Sequence, residues 1–405
     1  MTGLDNPVPV KDDDHRKSSK RKRQKHSKPV KLEKYDEYFK SMSADMEFRF
    51  SEEYEELRNV GRDQSWEAAE LADNRAKNRY TNILPYDRTR VKLSKVDDED
   101  DSDYINANWM PGFNSPREFI AAQGALPGTK DDFWRMIWEY NVRTIVMVTQ
   151  CQERGRVKCD HYWPFDNEPV YYGDILVNIV DEKVLPEWTV RDFNIQNNAL
   201  VKQVRHYNFT AWPDHGVPET TQSLLKFVRS VRKHIPNDNT PTVVHCSAGV
   251  GRTGTFITLD RLIQHMRDND YVDIYGIACE MRMHRVYMIQ TESQYVFIHN
   301  CVHDLLHEKQ EDEEDDMPPP PSMDDHIYGN VPHPSNGPPD VAANLGSEPE
   351  ANDDTPDQTP DQTPDQTPDQ SSDQTSEKTS EQNSEQTSSP GKANNILNAD
   401  ADSQA

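Results

Sequence analysis

Residues 242–256, TVVHCSAGVGRTGTF, set a short β-branched run, a loop rich in glycine and a stretch with helical spacing in direct succession. No other feature constrains the fold as strongly. A buried strand that feeds a glycine loop and then a helix needs a layered α/β arrangement around it. The loop admits two chemistries. Gly249 to Gly254 fits the G-x-G-x-x-G pattern of dinucleotide loops, while His245-Cys246 just before it offers a nucleophile.

The neighbourhood separates these readings. A dinucleotide loop follows its strand at once, and a second strand ends in an acidic residue roughly 20 residues later. Here Cys246 to Val250 intervene, and the chain downstream is the charged stretch MRDNDYVD, so no dinucleotide is expected. Read as Cys246-x5-Arg252, the loop is coherent. The backbone N–H groups of Ser247, Ala248, Gly249, Val250 and Gly251 can ring one anion, and the glycines allow the close approach this requires. The helix that follows points its N-terminus at the same place. Arg252 adds a planar fork able to hold two phosphate oxygens. Such a cradle binds phosphate and stabilises a thiolate at Cys246.

Composition shows which part of the 405 residues can fold. The segment from Met1 to Lys34 carries +6, and that from Glu308 to Ala405 carries −21, which leaves −11 of the total −26 for the middle. A moderately acidic middle argues against nucleic acid as a ligand. The tail contains TPDQTPDQTPDQTPDQ and almost no aliphatic residues, so it cannot bury enough apolar surface to offset its ordering entropy. Three segments are expected: a basic disordered arm over 1–32, one folded domain over 33–309, and a disordered acidic tail over 310–405. No apolar run approaches the ~20 residues of a membrane span. Five cysteines without C-x-x-C pairing suggest free thiols in a reducing, cytoplasmic setting, with Cys151, Cys159, Cys279 and Cys301 as inert buried thiols. The basic cluster Arg16–Lys31 suits a nuclear address, an anionic lipid surface, or the flank of a membrane span outside this sequence.

Within the middle, periodicity predicts a helix after Thr129, with Asp132 completing a capping box, then a buried strand over 144–149. Several strands follow between Tyr162 and Phe209. Helices are expected over 221–235, 253–266, 274–283 and 292–307. The fold class is α/β of the α+β type, a highly twisted mixed sheet flanked by helices. His303 and His307 have the i,i+4 spacing of a zinc pair, but no third ligand is evident, so they read as an exposed helix end and no metal is expected. Tyr328, in DDHIYGNV, would if phosphorylated suit an SH2-domain adaptor.

HCSAGVGRTG resembles the signature loop of the protein tyrosine phosphatases, and the resemblance extends over most of 33–309. KNRYTNILPYD, DYINANW, AAQGALPGT, KCDHYWP, WPDHGVP and IQTESQY stand in that family's order. The resemblance implies cleavage of phosphotyrosine in proteins through a phosphocysteine on Cys246, without cofactor or metal. It implies that Arg252 and the loop amides bind phosphate and that Asp214 is the general acid and base. Gln290 would place water with Gln294 nearby, Thr253 would donate to the departing sulfur, and Tyr80 would set pocket depth. Glu153, Lys158 and His245 would support the loops. Where some members carry an acidic residue after KNRY, this chain has Thr81-Asn82, so Asn82 would hold the substrate backbone without charge. A pseudophosphatase that only captures phosphotyrosine proteins is the rival; the presence of Cys246, Arg252, Asp214 and Gln290 weighs against it. Glu33–Gly61 resembles the membrane-proximal segment of receptor-type members with a single catalytic domain, which implies a place near the cytoplasmic face of a membrane.

Overall fold

The computed structural model describes residues 26–96, 100–213, 216–236 and 238–308. Most of the basic arm, all of the tail including Tyr328, and Asp214 with His215 lie outside these residues.

The centre is a nine-stranded mixed sheet. Its strands are β2 (Arg90–Lys92), β3 (Tyr104–Met110), β4 (Phe119–Ala122), β5 (Thr144–Met147), β8 (Val170–Tyr172), β9 (Ile175–Val184), β10 (Trp188–Asn197), β11 (Leu200–Phe209) and β12 (Thr242–His245). Their spatial order is β2-β3-β4-β12-β5-β11-β10-β9-β8. β12 lies between β4 and β5 and runs parallel to both, and β5 runs parallel to β11. The flanks are antiparallel. All four residues of β12 are buried, the expected pattern for a strand covered on both faces. Val243 belongs to the core layer under α3 (Lys130–Glu139), and Val244 to the layer under the other helices. The alternation follows from the two-residue period of a strand.

That second layer holds α1 (Tyr35–Met42), α2 (Ala44–Glu56), α4 (Thr221–His234), α5 (Gly251–Asp268), α6 (Ile274–Arg282) and α7 (Glu292–His307). In α4 the residues Leu224, Leu225, Val228 and Val231 recur at helical spacing and are fully buried. Burying each stabilises the fold by about 1.5–3 kcal/mol. Among the described residues no helix is long and apolar enough to cross a membrane.

Three expectations need correction. The folded part starts before Glu33, because β1 (Val30–Lys31) pairs antiparallel with β13 (Tyr271–Val272). Ser27 Oγ and Lys28 N–H both donate to Asp273, and Lys28 Nζ lies 3.2 Å from Glu53 and 2.9 Å from Glu56. These contacts come from distant parts of the chain, so the basic composition of the arm hid them. The capping box at α3 does not form. Thr129 Oγ1 accepts instead from Leu126 N–H, closing the preceding 3₁₀ turn, and Asp132 pairs with Arg135. A capping box does start α7, where Thr291 and Gln294 bond reciprocally. The strand expected over 144–149 ends at Met147. All five cysteines are free, and burial pushes up the thiols of Cys151, Cys159, Cys279 and Cys301.

Candidate active site

The site sits where β12 ends, at the carboxyl edge of the parallel strands and the N-terminus of α5. Cys246 is the first residue after β12 and is buried, and its Sγ accepts from Gly249 N–H at 3.3 Å. Gly249 has φ +72°, and a Cβ there would lie 2.1 Å from Ala122 O, so both the backbone conformation and the space demand glycine. The loop's outer side is held by Arg285, fully buried between α6 and α7. Its Nε donates to Gly249 O at 2.9 Å and its Nη2 to Ala248 O at 3.0 Å. The same guanidinium donates to Asn108 Oδ1 and Asn106 Oδ1, both at 2.7 Å. The carbonyls of Ala248 and Gly249 turn outward to Arg285, while Gly249 N–H points at Cys246 Sγ. Burial pushes Arg285 down to about 10, which leaves it charged at neutral pH.

Arg252 lies in the first turn of α5. Its Nη1 donates to Glu153 Oε1 at 2.6 Å and its Nη2 to Glu153 Oε2 at 3.0 Å, a two-bond pairing. Glu153 ends β6 (Gln152–Glu153), which forms a small hairpin with β7 (Arg156–Val157). Burial pushes the Glu153 carboxyl up, but Arg252, Thr149 Oγ1 and Gln150 N–H outweigh it and hold the carboxyl below its ordinary range. Arg252 Nη2 also donates to Pro213 O at 3.2 Å, and the guanidinium carbon lies 5.5 Å from the Trp212 ring. The arginine thus touches the loop that carries Asp214, a residue outside the described ones. Lys158 is half-buried just past β7, and its backbone N–H donates to Cys151 O.

Behind the loop, His245 Nδ1 lies 3.3 Å from Cys246 O, and its Nε2 is 2.8 Å from Tyr162 Oη. The same hydroxyl is 2.9 Å from His206 Nε2. Burial pushes His245 down to about 4 and His206 well below the usual histidine range, so both are neutral at pH 7. Thr253 is fully buried, and its Oγ1 has no hydrogen-bond partner among the described residues.

The rim comes from KNRY and from the turn before α7. Tyr80 Oη lies 2.8 Å from Ser247 Oγ, which places the phenol ring against the signature loop. Asn82 is exposed beside it. Arg79 fixes this segment by donating to Gly124 O, Ala125 O and Asp160. Gln290 is half-buried. Its N–H donates to Gln294 Oε1, and its carbonyl accepts from Tyr54 Oη of α2 at 2.5 Å. Gln294 therefore caps α7 through its side-chain oxygen. Its amide also lies against Gly251, where a Cβ would come within 2.9 Å of it.

The structure thus brings Tyr80, Glu153, His245, Cys246, Ser247 to Gly251, Arg252, Thr253, Gln290 and Gln294 into one region. Sequence reasoning missed Arg285, Asn106, Asn108, Tyr162, His206 and Tyr54. Two asparagines at alternate positions of the otherwise apolar YINANWM were a usable signal, because a buried amide needs a partner. Nothing around MHRVYM marks Arg285.

Residues 74–304 match the family model described as protein-tyrosine phosphatase. The chain is 54% identical over 291 residues to chicken receptor-type tyrosine-protein phosphatase eta, covering 71% of this chain and 21% of that protein. It is 52% identical over 292 residues to the human protein of that name, covering 71% and 22%. It is also 48% identical over 284 residues to human phosphatidylinositol phosphatase PTPRQ, covering 70% and 12%. The chain therefore spans about a fifth, or less, of the length of these relatives. A family model matched over more than half of the chain, which spans the loop from Cys246 to Arg252, places this chain in the protein-tyrosine phosphatase family.

Proposed function

We propose that this domain hydrolyses phosphotyrosine in proteins, in two steps and without metal. The observation that carries the proposal is the preorganised cradle: Arg252 locked by Glu153, two loop carbonyls drawn away by Arg285, and Gly249 N–H donating to Cys246 Sγ. In the first step the Cys246 thiolate attacks phosphorus, an S–P bond forms, and the P–O bond to the tyrosine breaks. Asp214 gives its proton to the leaving phenolate oxygen. In the second step water, placed by Gln290 and deprotonated by Asp214, attacks phosphorus. The S–P bond then breaks, returning the thiolate and releasing phosphate. The loop amides and Arg252 hold the phosphoryl oxygens as their charge shifts, and Thr253 Oγ1 is a buried donor available to the departing sulfur. The neutral His245 orients the loop and takes no proton. Tyr80 at the rim supports an aryl phosphate, since an aromatic wall beside a deep cradle favours a flat, long substrate over phosphoserine.

Phosphoinositide is the second reading, favoured by the likeness to a relative named as a phosphatidylinositol phosphatase. Phosphate release by the full chain is measured on matched phosphotyrosine and phosphoserine peptides and on phosphoinositide vesicles, beside Cys246→Ser. Turnover of the phosphotyrosine peptide alone, abolished in the variant, is expected. Turnover confined to vesicles would overturn the first reading in favour of the second. Retained binding without turnover in the parent would make the domain a phosphotyrosine-binding module.

The receptor-type relatives support a site of action at the cytoplasmic face of a membrane, with the basic arm next to it. Tyr328 is proposed as a docking site for an SH2-domain adaptor. A phosphopeptide spanning 324–332 that bound SH2 domains no better than its unphosphorylated form would remove that idea.

A further inference from the structure

The end of α7 holds a second cluster of chemistry, far along the chain from the cradle. His303 and His307 are one turn apart on the same face, with ring centroids 4.5 Å apart. Asp36, in the first turn of α1, faces both: its Oδ2 is 3.2 Å from His307 Nε2 and its Oδ1 is 3.8 Å from His303 Nε2. The third ligand missing from the linear sequence is thus supplied by a residue more than 260 positions away. Among the described residues this is the one group of three such side chains whose donor atoms all lie within 4.8 Å of one another.

We propose that Asp36, His303 and His307 form a binding site for a borderline divalent transition-metal ion, Zn²⁺ foremost, with water completing a tetrahedral shell. Bonds of about 2.0–2.1 Å in that geometry set donor atoms roughly 3.3 Å apart; here the two Asp36 oxygens stand 3.2 and 3.8 Å from the imidazole nitrogens and all the donors lie within 4.8 Å of one another. Two imidazoles and one carboxylate suit Zn²⁺, whereas Ca²⁺ and Mg²⁺ need more oxygen ligands than one carboxylate supplies. A surface ion pair would need only the facing nitrogens. Here the far side of each ring is organised as well. His307 Nδ1 is 2.7 Å from His303 O, which fixes the tautomer that leaves Nε2 free to ligate. His303 Nδ1 is 3.6 Å from Asp304 Oδ1, and Asp304 is itself held through Oδ2 by Thr221 Oγ1 of α4. Phe39 stacks on the His303 ring at 4.5 Å. An oxygen acceptor on the second nitrogen of His307, and a carboxylate near that of His303, match the outer shell that metal-bound histidines use. A bound ion would staple α1 to α7, tying the membrane-proximal segment to the end of the domain.

The full chain carrying Cys246→Ser, which removes the thiolate as a competing ligand, is titrated with Zn²⁺ against a chromophoric chelator and with Co²⁺ by visible absorption. The same titrations are run with Asp36→Asn and with the double variant His303→Gln, His307→Gln. The expected result is one equivalent of Zn²⁺ with a tetrahedral Co²⁺ spectrum. Affinity should fall at least ~10-fold in Asp36→Asn and further in the double variant. Zn²⁺ should raise the melting midpoint of the parent only. The metal-free midpoints should coincide, which shows that the variants fold. Unchanged affinity in the double variant, or no saturable Zn²⁺ binding by the parent, would overturn the proposal.

Discussion

The two loops that meet at Arg252 are held in opposite ways. The signature loop is fastened from every side: Arg285 takes two of its carbonyls, Glu153 takes the Arg252 fork, and Tyr162 backs His245. Among the described residues, the loop from Trp212 to Pro218 shows fewer ties. Trp212 Nε1 donates to Gly216 O at 3.2 Å, and Pro213 O accepts from Arg252. Two glycines make the contrast concrete. Gly249 and Gly216 both have positive φ, +72° and +75°. A Cβ at Gly249 would strike backbone 2.1 Å away, and one at Gly216 would meet nothing within 4 Å. A phosphate cradle has to be rigid before the charge develops, because reorganisation at that moment costs rate. An acid-bearing loop has to admit substrate first and close afterwards.

The largest expected effect lies on the loosely held side. Asp214→Ala should lower kcat for a phosphotyrosine peptide by ~10²–10⁴-fold, the range for losing one general acid. Phosphotyrosine peptide binding by the variant should persist, which an equilibrium titration checks. An unchanged kcat would remove Asp214 from the chemistry.

On the fastened side, Arg285→Met should destabilise the domain by about 3 kcal/mol or more, since Asn106, Asn108 and two loop carbonyls lose their partner in a dry interior. Denaturant unfolding reads that change. A loss under about 0.5 kcal/mol, the size expected at a surface position, would mean that the loop is not held from behind.

The glycine pair sharpens the comparison itself. Gly249→Ala should cut kcat/KM by ~10²-fold or more, because a displacement of about 1 Å at the cradle is enough for that. Gly216→Ala should cost about 1 kcal/mol or less in stability, the strain of one left-handed alanine in open space. Equal effects of the two substitutions would erase the distinction between the loops.

A further expected effect is pH-dependent. Burial holds His245 at about 4 and His299 at about 3, against about 6.5 in an unfolded chain. Between those values the unfolded chain binds protons that the folded one does not. Stability should therefore fall as pH drops from about 6.5 towards 4, at up to about 1.4 kcal/mol per pH unit for each histidine. Melting midpoints taken from about pH 7.5 down to about pH 5 test this, and a flat profile would count against neutral buried histidines.

Much of this protein was decided locally and could be read from its letters. β12, the glycine loop and α5 follow from TVVHCSAGVGRTGTF, because a β-branched run, left-handed glycine and an anion-binding helix N-terminus are properties of neighbouring residues. The amphipathic α4 followed from its own spacing in the same way. One failure was a local competition: the hydroxyl of Thr129 went to the turn before it rather than to its own helix. Others had non-local causes. The basic arm gained a strand because β13 and Asp273 lie far along the chain. Arg285 carries no local mark; its four acceptors sit on β3 and the signature loop. Asp36 meets His303 and His307 only because α1 packs beside the end of α7. Sequence alone determined the elements and the reactive groups, since backbone preference and side-chain chemistry act over a few residues. Tertiary structure decided which distant polar groups became partners, since buried charges and amides must be satisfied by whatever the packed chain brings within reach.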